Sequence, residues 1–101
     1  MSTIKNKNIT TIGIDLGTTF SCVGFFRNHH VEIIPDPNGY RTIPSYVSFL
    51  NSGEIVIGHQ AKRRLTKYPK QTIYDAKRFI GKSFSDPIVT ADIEFMGYDV
   101  V

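Results

Sequence analysis

Apolar side chains at Ile12, Ile14 and Leu16 alternate with Thr11, Gly13 and Asp15, the period of two that marks a strand with one face on a core. The spacing predicts a strand over 10–16. The turn residues Gly17-Thr18-Thr19 follow, then a run of strand formers from Phe20 to Phe26, then a break at Arg27-Asn28-His29-His30 before Val31-Glu32-Ile33-Ile34. Three consecutive strands joined by short turns are expected, closed off by the turn cluster Pro35-Asp36-Pro37-Asn38-Gly39. Ser45 to Leu50 reads as a further strand, with Asn51-Ser52-Gly53 turning it into Ile55-Val56-Ile57.

From His59 the period changes. Ala61, Leu65 and Tyr68 sit four and three apart, which predicts a helix with one apolar stripe that Pro69 terminates. Thr72 and Asp75 have the spacing of a capping box, predicting a second short helix over 75–80 that stops at Gly81. Asp86-Pro87 is expected to open a turn or helix, and Tyr98 to Val101 to begin another strand. Such a set of strands leaves several unpaired edges and only two short helices to cover them, so the chain is expected to be cut from something larger.

With 101 residues, 41% apolar and 21% charged, the chain is a single globular domain or a piece of one. No apolar run approaches the roughly 20 residues that span a bilayer, so no membrane role is expected. Cys22 is the only cysteine, which removes any internal disulfide and leaves it as a small packed side chain in a reducing compartment. The first residues lack the apolar core and cleavage site of a signal peptide, so a cytoplasmic location is expected. Charge is uneven: residues 62–82 hold eight of the twelve cations and one of the nine anions. This stretch reads either as a phosphate footprint or as a solvated helix face. Only Tyr68 interrupts its densest run, so base stacking and a nucleic-acid partner are not expected.

The most specific local feature is Gly13-Ile14-Asp15-Leu16-Gly17-Thr18-Thr19. A carboxylate near the end of a strand, then a tight turn of glycine and two threonines, offers one hard anion for a metal beside amide and hydroxyl donors for phosphate oxygens. The competing reading is a hairpin whose glycines only permit the turn. Neither a Walker loop nor a dinucleotide fingerprint is present. His29-His30 is expected to be a solvated turn rather than a metal site, since adjacent strand side chains point apart. Lys77, taken alone, reads as a surface helix lysine.

GIDLGTTFSCVGFF at 13–26, VEIIPDPNGYRTIPSYVSF at 31–49 and TIYDAKRFIGKSF at 72–84 resemble, in order and spacing, the opening of the nucleotide-binding domain of the seventy-kilodalton heat-shock chaperones. The resemblance implies an α/β chain of the actin-like, ribonuclease-H-like ATPase fold, here incomplete. Residues 1–9 would be a tail, 10–101 the start of the ATPase domain, and the stretch from about residue 39 to 101 its upper subdomain. It implies ATP or ADP with Mg2+ as cofactors, Asp15 meeting the metal through water, and Gly17, Thr18 and Thr19 wrapping the phosphates. Lys77 would be the catalytic lysine that reaches the γ-phosphate, with Arg78 its nucleotide-side neighbour. The partners implied are unfolded client polypeptides and co-chaperones.

A hydrolase of this type holds its nucleotide from both sides, and the sequence contains neither a second phosphate loop nor the further acids. The chain alone is therefore expected not to turn over ATP and to bind it weakly if at all. Phe20 stands where the family usually has tyrosine, and Tyr40 and Ile43 where smaller or more polar residues are common. A non-catalytic module that binds chaperone partners is the alternative expectation.

Overall fold

The computed structural model describes residues 11–101. The tail expected over 1–9, and Thr10 at the expected start of the first strand, lie outside the described residues. The alternating segment forms β1 (Ile12–Leu16), followed by β2 (Phe20–Arg27) and β3 (His30–Ile33) in an antiparallel meander ordered β1-β2-β3. Asn28 and His29 adopt φ of 54° and 67° between β2 and β3. Two consecutive left-handed residues suit a two-residue hairpin, because their twist matches that of the strands they join.

The turn cluster after β3 closes on Asp36, whose Oδ1 accepts from the amides of Asn38 and Tyr40, both at 2.9 Å. A two-residue strand not expected from the sequence, β4 (Ile43–Pro44), then returns to β2, setting Ile43 against Ser21 and Pro44 against Phe20. It lies on the same edge of β2 as β3, the other edge being taken by β1. One residue later the chain enters a second sheet, in which β5 (Tyr46–Phe49) is flanked by β6 (Ile55–Ile57) and β7 (Thr72–Tyr74). Ser45 is the junction between the two sheets.

The expected helix from His59 to Pro69 is shorter than its apolar stripe. α1 spans Gly58–Arg63, and the winding tightens at its end, with the Arg64 and Leu65 amides donating to Ala61 and Lys62 carbonyls. The cause is Arg64, whose Nε donates to Ser48 Oγ at 2.8 Å while its guanidinium lies over the Tyr68 ring at 4.1 Å and an Nη reaches Gln71. Gly58 has a φ of +66°, and a Cβ there would come within 2.8 Å of the Ile43 side chain. Glycine thus lets β6 pass directly into the helix beneath β4. Tyr40 stacks on His59 with ring centroids 3.9 Å apart.

The helix expected from the Thr72–Asp75 spacing is not formed. Thr72 caps nothing; it sits in β7 opposite Ser48, fully buried, and its hydroxyl donates to the Tyr68 carbonyl at 2.9 Å. Ser48 Oγ lies 3.0 Å from Thr72 Oγ1. Since each hydroxyl has one proton, the order of donation is Arg64 to Ser48 to Thr72 to the Tyr68 carbonyl. Asp75 takes a φ of 55°, which ends the strand and starts a single 3-10 turn at Ala76–Arg78. A second 3-10 turn, Pro69–Gln71, begins at the expected helix-stopping proline.

Asp86-Pro87 opens α2 (Pro87–Ile93), with Asp86 accepting from the Ile88 amide at 2.8 Å. The strand expected at Tyr98 to Val101 is absent: that segment carries no strand. Tyr98 is instead an anchor, 6% exposed, set edge-on to Tyr74 at 5.6 Å and donating its hydroxyl to the Tyr74 carbonyl. Tyr74 in turn stacks on its cross-strand partner Tyr46 at 5.2 Å. The alternation of β1 is as expected, but the core expected against it is not: Ile12, Ile14 and Leu16 are 54%, 67% and 60% exposed. Among the described residues nothing covers that face. No helix among them is long and apolar enough to cross a membrane.

Burial, reinforced by Asp75 and Tyr74, holds the Tyr46 phenol above its ordinary value of 10.0. Burial, then Tyr74 and Asp75, does the same for Tyr98. Both phenols keep their protons longer in the folded chain than in the unfolded one. The stability this gives is whole below the unfolded value and is lost as pH rises through the raised folded values. Melting temperature followed from about pH 8 to about pH 12 should fall in that alkaline window, and fall less steeply in Tyr98→Phe. An equally steep fall in the variant would show that Tyr98 is not the group responsible.

Candidate functional site

The turn between β1 and β2 is held from two directions. Inside it, the Gly17 amide donates to the Phe20 carbonyl at 3.0 Å. A Cβ on residue 17 would lie 2.2 Å from that same oxygen, so glycine is required here by close approach of the backbone. From the junction between the sheets, Ser45 Oγ donates to the Gly17 carbonyl at 2.8 Å and the Ser45 amide donates to the Thr19 carbonyl at 2.9 Å. Ser21 Oγ lies 2.8 Å from Ser45 Oγ. Lys77, from the 3-10 turn after β7, places its Nζ 2.7 Å from the Leu16 carbonyl.

Lys77 is thus brought 61 residues back along the chain to the end of β1. It is not the free helix lysine that its surroundings in sequence suggest. The left-handed Asp75 makes this geometry, because it turns the chain out of β7 one residue before Ala76–Arg78. One ammonium N–H is spent on Leu16, which leaves two of three for another acceptor. Arg78 is not brought to the turn: its Nε donates to Asp75 Oδ2 at 3.1 Å. Asp15 pairs in register with Cys22, and strand alternation puts its side chain on the face opposite to Ile14 and Leu16.

Three carbonyls of the turn, Leu16, Gly17 and Thr19, therefore accept from elsewhere in the protein. The amides and hydroxyls of Thr18 and Thr19 have no hydrogen-bond partner among the described residues. The result is a turn in which three of four carbonyls are withdrawn into the structure while the Thr18 and Thr19 donors are uncommitted, with an ammonium beside it. Such an arrangement favours an anion rich in acceptor oxygens. A cavity of about 530 Å³ adjoins it, lined by Gly17, Thr18, Ser45 and Lys77 at one end and by aliphatic side chains such as Leu16, Val47 and Ile80.

No group of three or more metal-ligating side chains occurs among the described residues. His29 lies in the hairpin turn and His30 opens β3, where it lies 3.8 Å from Glu32. Asp15 is a lone carboxylate that belongs to no such group. Sequence reasoning singled out the turn and Lys77 but missed Ser45 and Ser21. The available signal was Pro44, which withholds an amide and keeps its predecessor extended, marking the place where one sheet stops.

Replacing Gly17 with alanine should force the Phe20 carbonyl aside and break the Gly17 to Phe20 hydrogen bond. A loss of about 1–3 kcal/mol in denaturant unfolding is expected, against no loss for Gly13→Ala, where a Cβ meets nothing within 4 Å. Equal effects at the two positions would remove the steric argument.

The family described as Hsp70 protein matches residues 11–101. The chain is 51% identical over 92 residues to the heat shock 70 kDa protein BIP3 of Oryza sativa subsp. japonica. That alignment takes in 91% of this chain and 14% of the rice protein, so the chain spans about one seventh of the length of the curated relative it matches. The family match over residues 11–101 and the 51% identity to a heat-shock protein together show that this chain belongs to the Hsp70 family.

Proposed function

We propose that residues 10–101 form the opening part of an actin-like, ribonuclease-H-like ATPase domain, with the second sheet and its helices, from about residue 39, as the upper subdomain. In this reading the chain binds the phosphates of ATP or ADP at the β1–β2 turn. The observation that carries it is the sorting of hydrogen-bond groups there: the Leu16, Gly17 and Thr19 carbonyls are occupied from within, while Thr18 and Thr19 keep amide and hydroxyl donors uncommitted.

Gly17 permits the closeness of the turn, and Thr18 and Thr19 donate to phosphate oxygens. Lys77 adds a point charge beside them, where negative charge spreads during phosphoryl transfer. Magnesium, when bound with the nucleotide, supplies concentrated positive charge on the phosphate oxygens. Asp15 would accept from the water around that ion, in keeping with its position as a single carboxylate. Arg78, held by Asp75, would act on the nucleotide from the flank of the site. Phe20, in place of the tyrosine usual in the family, gives the turn a carbonyl acceptor for Gly17 and no side-chain hydroxyl.

Turnover needs groups that this chain does not contain, so these residues supply one side of the site and the chain alone hydrolyses nothing. In the whole protein, nucleotide binding would drive a chaperone cycle on unfolded client polypeptides together with co-chaperones. The single cysteine among these 101 residues suits a reducing compartment such as the cytoplasm.

Titration of the isotope-labelled chain with MgATP should shift the amide resonances of residues 17–19 before those of β6. Lys77→Ala should weaken that binding by roughly tenfold or more, the value of a charge-assisted hydrogen bond. Phosphate release by the chain should not exceed that of the Lys77→Ala control. Shifts confined to the second sheet, or unaltered affinity in the variant, would count against the reading.

A further inference from the structure

We infer that Ser45 is a positioning residue of the site, which aims the Thr18 amide at a bound phosphate by holding the peptide group between Gly17 and Thr18 in one orientation. The inference deepens the nucleotide reading above and rests on it.

Peptide planarity ties the Gly17 carbonyl to the Thr18 amide. In a trans peptide the C=O of one residue and the N–H of the next point in opposite directions within a single rigid plane, and no cis peptide occurs among the described residues. Ser45 Oγ donates to the Gly17 carbonyl at 2.8 Å. Fixing that oxygen toward the second sheet therefore fixes the Thr18 N–H away from it, outward from the turn. The Ser45 amide, 2.9 Å from the Thr19 carbonyl, secures the far end of the same turn. Of the peptide groups between these two anchors, the one joining Thr18 to Thr19 has neither its C=O nor its N–H engaged among the described residues.

The proton order makes Ser45 more than a passive contact. Its single hydroxyl proton goes to Gly17, so the 2.8 Å contact with Ser21 must be a donation from Ser21 to Ser45. Ser21 lies on β2 beside Ile43 of β4 and opposite Leu16 of β1. The relay from Ser21 through Ser45 to Gly17 therefore ties three strands to one peptide group. Donation from Ser21 fixes the Ser45 hydroxyl in the rotamer that reaches Gly17, and polarises it toward stronger donation. Because Ser45 is also the single residue between β4 and β5, the orientation of the Thr18 amide is coupled to the angle at which the second sheet leaves the first.

The test compares Ser45→Ala, Ser45→Thr and Ser21→Ala in the full chain. MgATP and inorganic tripolyphosphate serve as probes, read by amide shifts and by amide hydrogen exchange. Ser45→Ala should weaken both probes by roughly three- to tenfold, the worth of one net hydrogen bond, and should abolish the ligand-induced shift of the Thr18 amide. Exchange in β5 and β7 should be unchanged. Ser45→Thr keeps a hydroxyl at this position, beside the cavity that Ser45 lines, and should restore both affinity and the Thr18 shift. Ser21→Ala should lie between the two.

If Ser45→Ala binds both probes as the unmodified chain does, the inference is overturned and the nucleotide reading stands. If it loses affinity together with exchange protection throughout β5 and β7, Ser45 is only a structural tie and the inference is overturned. If the unmodified chain shows no response at residues 17–19 to either probe, the nucleotide reading fails first and takes the inference with it, a result visible before any variant is made.

Discussion

Donation from the segments that flank the second sheet into the carbonyls of the β1–β2 turn is the interaction on which the remaining structure depends. Sheets meet here through very little: Ser45 gives a hydroxyl and an amide, and Lys77 gives an ammonium. All three land within four consecutive residues, Leu16 to Thr19. A turn that must present donors to a ligand has to dispose of its own acceptors, which would otherwise repel phosphate oxygens. Three of the four carbonyls from Leu16 to Thr19 form the seam between sheets, and in the proposed phosphate-binding role the same bonds would serve both demands. The angle between the sheets and the donor pattern of the turn are consequently one property.

The second sheet is organised around polar side chains. Ser48 and Thr72 are completely buried, and Arg64 is pulled inward to donate to Ser48. Both buried hydroxyls in the series from Arg64 to the Tyr68 carbonyl donate and accept, so burial leaves neither unpaired. The same series ends α1 early, because Arg64 cannot both extend a solvent-facing helix and reach the centre of the sheet. It also positions β7, whose end at Asp75 sends Lys77 back to the turn. Two hydroxyls and one guanidinium thereby connect helix length to the placement of a charge at the opposite end of the sheet.

What the sequence made legible, and what it hid, follows from the range of the forces involved. Strands β1 to β3, β5 and β6 were evident because period-two alternation and turn residues act locally, and the Asp36 turn and the Asp86 cap were evident for the same reason. β7 was misread as a helix start because Thr72-x-x-Asp75 satisfies a local capping rule, whereas the deciding partner, Ser48, is 24 residues away. Tyr98 was read as strand for its β-forming character, and its actual use depends on Tyr74. At the site, Asp15 and the Gly17-Thr18-Thr19 turn stood out by composition, and Lys77 by resemblance to a family. For Ser45 the only local signal was the preceding Pro44, and its role depends on the Gly17 carbonyl 28 residues away.

The scarcity of buried hydrocarbon has a thermal consequence. Among the described residues only Ala61, Val89 and Tyr98 are buried hydrophobics. The heat capacity increment of unfolding grows with newly wetted apolar area and shrinks with newly wetted polar area. A fold centred on hydroxyls should therefore have a small increment and a broad, shallow stability curve, so that warming by a few degrees changes its folded population little until the melting region itself is reached.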